Sequence, residues 1–161
     1  MPDSRSLSWI VFVAICFAAA AVGAGFTNSS VKTWYPRLLK PAGTPPSWVF
    51  GPVWTALYLL MATAAWVVWQ QHQVHNVWLP LALFFGQLIL NAVWSVIFFG
   101  LRRPGLALAE VLILLAAILL TTITFSQQSS SASWLMTPYL AWVTYATYLN
   151  FGVGRLNRGT A

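Results

Sequence analysis

The chain has 161 residues, 59% of them hydrophobic and only 6% charged, against about 25% charged residues in a soluble domain; a water-soluble monomer and a disordered chain are excluded. Eight Lys and Arg against two Asp and Glu give a net charge of +6. The cations stand between apolar runs and form no basic patch on polar surface, so they report membrane topology and not nucleic-acid binding.

A helix needs about 20 apolar residues to cross a ~30 Å hydrocarbon core, and in lipid each backbone N–H and C=O has to be paired within its own segment. The first candidate runs from Leu7 to Phe26 and contains Cys16, the single cysteine, so neither a disulfide framework nor a thiolate metal site is available. Arg5 and the run Ala21-Val22-Gly23 offer a cleavable signal peptide as the competing reading, but the apolar run exceeds the ~7 to 15 residues usual there. Thr27 to Ser47 carries Pro36, Pro41, Pro45, Pro46 and Gly43, which predicts a loop long enough to lie across the mouth of a bundle. Further spans are predicted from Trp48 to Trp69, Val77 to Phe99, Gly105 to Phe125 and Trp134 to Val153, with Ser126 to Ser133 as a short polar turn. The predicted fold is all-α: a single domain, an integral membrane bundle of five transmembrane helices with a long ordered first loop. Arg5 is the only cation on one side, whereas Lys32, Arg37, Lys40, Arg102, Arg103, Arg155 and Arg158 fall on the other. The positive-inside rule therefore puts the amino terminus outside, and the long loop and carboxy-terminal tail inside, a bacterial cytoplasmic membrane.

Phe50, Trp54, Tyr58 and Met61 recur at i, i+4, i+8 and i+11, which aligns aromatic rings along one face of the second span. Packing or interface belts account for Trp48, Trp66, Trp69 and Trp78 near helix ends. Trp54 is deeper, and both packing and ligand contact remain open for it. On the third span Gln87, Asn91 and Trp94 share a stripe continued by Ser95 and Phe98. Amides at that depth serve most often in interhelical hydrogen bonds; the other reading of Asn91 is an amide presented to a ligand inside an apolar cavity. On the fifth span Tyr139, Trp142, Ala146 and Asn150 share a face, with Tyr145 and Leu149 beside it. Small Ala146 leaves room for a flat ring system or for a neighbouring helix. Glu110, the one acid inside a span, is predicted to snorkel into an ion pair with Arg102 or Arg103 rather than to handle a proton or substrate. His72 and His75 lack a third ligand and are read as solvated loop residues, so no metal site is expected. No P-loop, dinucleotide fingerprint, HExxH or paired intramembrane carboxylate occurs, so no conventional enzyme is specified.

The segments Trp34-Tyr35, Lys40-Pro41, Pro45-Pro46, Trp48-Val49-Phe50-Gly51-Pro52-Val53-Trp54 and Leu57-Tyr58 resemble the first loop and second helix of the TspO/MBR family. That family comprises the bacterial tryptophan-rich sensory proteins and the mitochondrial translocator protein, also called the peripheral benzodiazepine receptor. Gln87-Leu88, Asn91, Trp94, Phe98-Phe99-Gly100, Pro138-Tyr139-Leu140, Trp142, Thr144 and Leu149-Asn150 continue the resemblance in the same order, over nearly the whole chain. It implies a five-helix bundle, usually a homodimer, that binds porphyrins such as protoporphyrin IX and haem as ligands, with no covalently bound cofactor, and also sterols and isoquinoline-type drugs. Carried over by position, Phe50, Trp54, Asn91, Trp142 and Ala146 become ligand-binding residues, with Tyr58 and Leu149 bordering them. Trp54 and Trp142 also match two tryptophans associated, in some bacterial members, with light-dependent porphyrin breakdown. The resemblance admits an outer membrane as well as the cytoplasmic one.

Three departures from the family pattern bear on function. Ala42-Gly43-Thr44 stands where a Trp usually precedes the Pro-Pro pair by two residues, which removes an indole from the loop over the pocket and predicts a looser lid. In the fifth-helix sterol motif Phe151 stands in place of the Tyr four residues before Arg155, which argues against sterol binding. Tyr145 fills a site that can be small in bacterial relatives, which narrows the pocket or alters dimer packing. The function expected is that of a membrane receptor or binding protein for porphyrins, acting in tetrapyrrole handling or stress signalling. Asn91 serves as polar orienter, and Lys32, Arg37 and Lys40 draw the propionates to the mouth. Porphyrin breakdown and porphyrin or sterol transport are the alternatives.

Overall fold

The computed structural model describes residues 4–157, and Arg158, counted above with the cations of one side, lies outside them. Every regular element among the described residues is helical: α1 (Ser4–Thr33), a 3-10 turn (Tyr35–Arg37), α2 (Ser47–Trp69), α3 (Trp78–Ser95) with a π turn (Val96–Gly100), α4 (Pro104–Gln128) and α5 (Ser130–Leu156). The helices α1 to α4 are long and apolar enough to cross a membrane. With 27 residues, α5 is also long enough, and it turns the polar Tyr139 and Asn150 inwards, which lowers its hydropathy while keeping those groups away from lipid. Short connections make neighbouring helices antiparallel. α1 packs on α2 and α3, α2 reaches α5, and α4 is held between α3 and α5.

Three boundaries differ from the sequence expectation. The first helix continues seven residues past Phe26, to Thr33. The segment expected to be loop there is rich in hydroxyls, and these fold back onto their own helix: Thr27 and Thr33 each donate to a carbonyl four residues back, at 2.8 Å. Ser30, buried, donates to the Phe99 carbonyl at 2.6 Å and fixes the helix end against the π turn. The non-helical connection therefore starts at Trp34, just before Pro36. The polar turn Ser126 to Ser133 shrinks to one extended residue, Ser129, because both helices run up to it. Buried Phe125 and Ala132 pack on either side.

The third departure is the π turn, in which Leu101 N–H donates to Val96 C=O at 2.8 Å. Such a turn rotates the side chains that follow. Here it buries Phe98, stacks it on Trp94 with centroids 5.2 Å apart, and aims Phe99 at the interior space described below.

The expected ion pair of Glu110 with Arg102 or Arg103 does not form. Glu110 lies on the same stripe of α4 as Ala107, Val111 and Leu114, all buried, whereas both arginines are exposed in the connection, where Arg102 adopts a left-handed conformation with φ 55°. Helical periodicity turns the carboxylate into the bundle and away from them. Both of its oxygens are buried without a hydrogen-bond partner. At the far end of the bundle His72 stacks on Trp69 with centroids 4.5 Å apart, and its ring nitrogens contact the Trp69 carbonyl and the Gln73 amide at 2.6 and 2.8 Å.

A second set of buried polar contacts ties three elements together. Trp94 donates its indole N–H to Asn150 Oδ1 at 3.1 Å, and Asn150 Nδ2 donates to the Pro104 carbonyl at 2.7 Å. Truncation in Asn150→Ala leaves that indole N–H without its partner. The expected loss is about 1–2 kcal/mol, measured as a lowered midpoint of thermal or SDS-induced unfolding in detergent.

Candidate functional site

Between α1, α2, α3 and α5, beneath the connection that follows α1, lies a cavity of about 580 Å³. That volume falls within the range of small-molecule sites, ~300 to 1,000 Å³. From α2 come Phe50, Trp54 and Tyr58, one per turn, because positions four apart share a helix face. From α5 come Trp142 and Ala146, and from α3 Asn91 with Trp94 and Ser95. The rings brace one another: Phe50 meets Trp142 edge to face at 6.1 Å, and Trp54 lies 5.6 Å from Tyr58 and 6.2 Å from Tyr139.

The sequence reading left Asn91 between two roles. The structure puts it on the cavity wall with both ends of its amide engaged. Tyr58 O–H donates to Asn91 Oδ1 at 2.7 Å, Asn91 Nδ2 donates to the Tyr139 hydroxyl at 3.2 Å, and Tyr139 donates in turn to Gln87 Oε1 at 2.8 Å. This chain of bonds links α2, α3 and α5 and sets the wall against which a ligand would rest. The interhelical role is therefore the one that these contacts express.

Six of the seven residues singled out from the sequence, namely Phe50, Trp54, Tyr58, Asn91, Trp142 and Ala146, meet at this one cavity. Leu149 does not. It is buried about one turn beyond Ala146, toward the stretch of α5 on which the long connection packs, and has no share in the cavity wall. Except for Lys32, the wall supplied by α1 escaped the sequence reading. It comprises Phe17, small residues around Ala20 and Ala24, and the polar Thr27, Asn28 and Lys32 toward the connection. Alanines and glycines give little hydrophobic contrast along a helix, so the face they share has no periodic signal.

The connection is a strap fastened to α5. Tyr145 O–H donates to the Gly43 carbonyl at 2.5 Å and Tyr148 O–H to the Ala42 carbonyl at 3.2 Å. Asn157 pairs with both backbone groups of Leu39, at 3.1 and 2.9 Å. Pro41 sits over Gly152, where a Cβ would come within 2.5 Å of the proline ring. Gly43 takes φ +84°, a conformation open to glycine and rarely adopted by residues with a side chain. At the position where the resemblance led to a looser lid, hydroxyls from α5 hold the strap, and Tyr145 acts on the strap while packing on Trp142 at 5.9 Å.

Where the strap leaves α1, Tyr35 is buried, lines the cavity and packs edge-on against Phe50 at 6.3 Å. Burial, with the Tyr145 hydroxyl nearby, pushes its phenol above the ordinary range, so the group stays neutral. Lys40 Nζ sits 4.9 Å over the Tyr35 ring, a cation–π contact on a partly desolvated ring. Of the three cations expected at the mouth, Lys32 lines the cavity, Lys40 touches it through Tyr35, and Arg37 is exposed outside it.

A multi-pass α-helical membrane protein built around one aromatic-walled, ligand-sized cavity is the class that this fold and site define. The sequence profile of the TspO/MBR family matches residues 12–156. The chain is 38% identical over 159 residues to the tryptophan-rich protein TspO of Chlorobaculum tepidum, covering 96% of this chain and 99% of that protein. It is 40% identical over 149 residues to the tryptophan-rich sensory protein of Cereibacter sphaeroides, covering 92% and 90%. It is 41% identical over 140 residues to the human translocator protein, covering 86% and 83%. The chain belongs to the TspO/MBR family.

Removing both strap hydroxyls in Tyr145→Phe with Tyr148→Phe keeps the stacked rings and deletes two neutral hydrogen bonds. Amides of residues 38–46 are expected to exchange with deuterium roughly tenfold faster, followed by mass spectrometry of the peptides that cover the strap.

Proposed function

We propose that the protein binds a porphyrin-type tetrapyrrole, such as protoporphyrin IX or haem, in this cavity and serves tetrapyrrole handling or stress signalling. The single observation that carries the reading is the convergence of Trp54, Trp142, Phe50 and Tyr58 on one cavity that has Lys32 at its edge. A porphyrin has two broad apolar faces and an anionic edge. Burying the faces against rings and leaving the propionates near a cation satisfies both halves of such a molecule. No ion pair engages Lys32 among the described residues, so its charge is available to an anion. Asn91 contributes through the ordered wall, since its amide is already held by two tyrosines.

The proposed setting is a bacterial cytoplasmic membrane with the strap and the carboxy-terminal tail inside. Lys32, Arg37, Lys40, Arg102, Arg103 and Arg155 all sit at the strap end of the bundle and Arg5 at the other, which is the asymmetry that the positive-inside rule reads. A homodimer in the bilayer is included in the proposal on the strength of the family resemblance. Sterol binding is not, given Phe151 in the motif.

Saturable quenching of tryptophan fluorescence by protoporphyrin IX in detergent tests the reading. Trp54→Phe combined with Trp142→Phe is expected to weaken binding by about tenfold; an unchanged titration curve contradicts the site. Lys32→Gln is expected to lower affinity roughly two- to fivefold at low ionic strength, with the difference vanishing as salt is raised.

A second reading is supported by the placement of both Trp54 and Trp142 on the cavity wall: light-dependent oxidation of a bound porphyrin beside oxidisable indoles. Under illumination in air, the Soret band of the complex would then bleach faster than in the double Phe variant at equal porphyrin occupancy. Equal rates would leave the protein a binder.

A further inference from the structure

The walls of the cavity divide sharply by exposure. Tyr35 and Asn91 are buried, and Trp94, Ser95, Phe99, Trp142 and Ala146 are at least partly covered; these make up its back and its strap end. Every exposed lining residue belongs to α1 or α2: Ala21, Ala24, Asn28 and Lys32 on one side, and Ser47, Trp48, Gly51 and Thr55 on the other. Ala21, Ala24, Asn28 and Lys32 follow the spacing i, i+3, i+7, i+11, and Trp48, Gly51 and Thr55 follow i, i+3, i+7, so each set is one stripe along its helix, and the two stripes border a slot. A Cβ placed on Gly51 would meet no atom within 4 Å, so α2 makes no tight backbone contact at this point of the slot.

Its walls suit lipid. Thr55 turns its hydroxyl onto the Gly51 carbonyl at 2.9 Å, so this threonine adds no unpaired hydroxyl to the gap beside the alanines. Of the helices α1 to α4, α1 is the least embedded, with 17% of its membrane-length window buried against 39% in α2 and 33% in α3 and α4, so less packing resists its movement. At the strap end Tyr35 lies buried under Lys40 and the connection is fastened to α5, and exposed Lys32 and Ser47 line the cavity where the slot reaches the interface.

We infer that the cavity exchanges its ligand sideways with the bilayer, through the slot between α1 and α2, and not with water past the strap. The ligand is then a membrane-partitioning amphiphile whose flat apolar body slides between the Ala21–Ala24 and Gly51–Thr55 walls. Its anionic end stays at the level of Asn28 and Lys32, where the slot meets the membrane interface. The inference rests on the cavity being the ligand site, and its test uses no ligand, so the two fail separately.

In proteoliposomes, a cysteine at the back of the cavity (Ala146→Cys, with Ser95→Cys as the alternative position, each in a Cys16→Ser background) is reacted with N-phenylmaleimide, which dissolves in lipid, or with a charged, membrane-impermeant thiosulfonate. Each rate is normalised to that of a free thiol. The lipid-soluble reagent is expected to react at least about tenfold faster. Filling the slot with Gly51→Leu or Ala24→Leu is expected to slow it about tenfold, while Tyr145→Phe with Tyr148→Phe changes neither rate by more than about twofold. Equal rates for the two reagents, or acceleration by the strap variant with no effect of slot filling, would overturn lateral access. Should a slot variant fail to fold, the reagent comparison and the strap variant still decide.

Discussion

In a bilayer interior no water is available to pair a polar group, and this constraint organises the molecule. Tyr58, Asn91, Tyr139 and Gln87 answer it by bonding in sequence across α2, α3 and α5. Trp94, Asn150 and the Pro104 carbonyl do the same across α3, α5 and the start of α4. Alternatives to these pairings would strand amides and hydroxyls in an apolar medium, so the helices are held in one mutual rotation. The aromatic cavity is a consequence. Once Asn91 and Tyr58 are locked together, Trp54 and Phe50 are carried to the same wall one and two turns away, and α5 brings Trp142 opposite. Gln87 Nε2 and the Glu110 carboxylate are buried without partners, so satisfaction of the interior is strong but incomplete.

The two ends of the bundle differ in kind. Toward Arg5 and the α2–α3 connection, packing is dense around Met61, Ala62, Ala65 and Val68, all buried. Toward the strap, α1 offers alanines and glycine where α2 offers rings, and space remains between them. The strap covers that space from one direction only, because its fastenings run to α5 and none runs to α1 beyond the turn at Tyr35. Hydroxyls on Tyr145 and Tyr148 hold the strap at Gly43 and Ala42, where this chain carries no indole.

Much of the site was legible in sequence because its residues obey a helical period. Phe50, Trp54 and Tyr58 recur every four residues and stand out against aliphatic neighbours, and Trp142 and Ala146 do so on α5. Leu149 illustrates the limit: periodicity places it near the right face, but depth along the helix decides whether a residue reaches a cavity, and there the strap packs on α5. Glu110 illustrates a second limit. Sequence proximity to Arg102 and Arg103 suggested an ion pair, whereas the rotation of α4 buried the acid and left the arginines outside. The helical run to Thr33 was hidden because Thr27, Asn28, Ser29 and Ser30 look like loop residues until the hydroxyls of Thr27 and Ser30 find carbonyls.

Composition and charge order by themselves determined that this chain crosses a membrane as a helical bundle, since hydrocarbon admits only segments that satisfy their own backbone, and such segments are visible as apolar runs. They also determined which rings line up on each helix, because that depends on spacing alone. Only the tertiary structure decided how the helices are rotated against one another, which wall stays open to lipid, and what holds the strap. Those outcomes depend on contacts between residues as far apart as Gly43 and Tyr145 or Leu39 and Asn157, and no local pattern encodes a pairing across a hundred positions of chain.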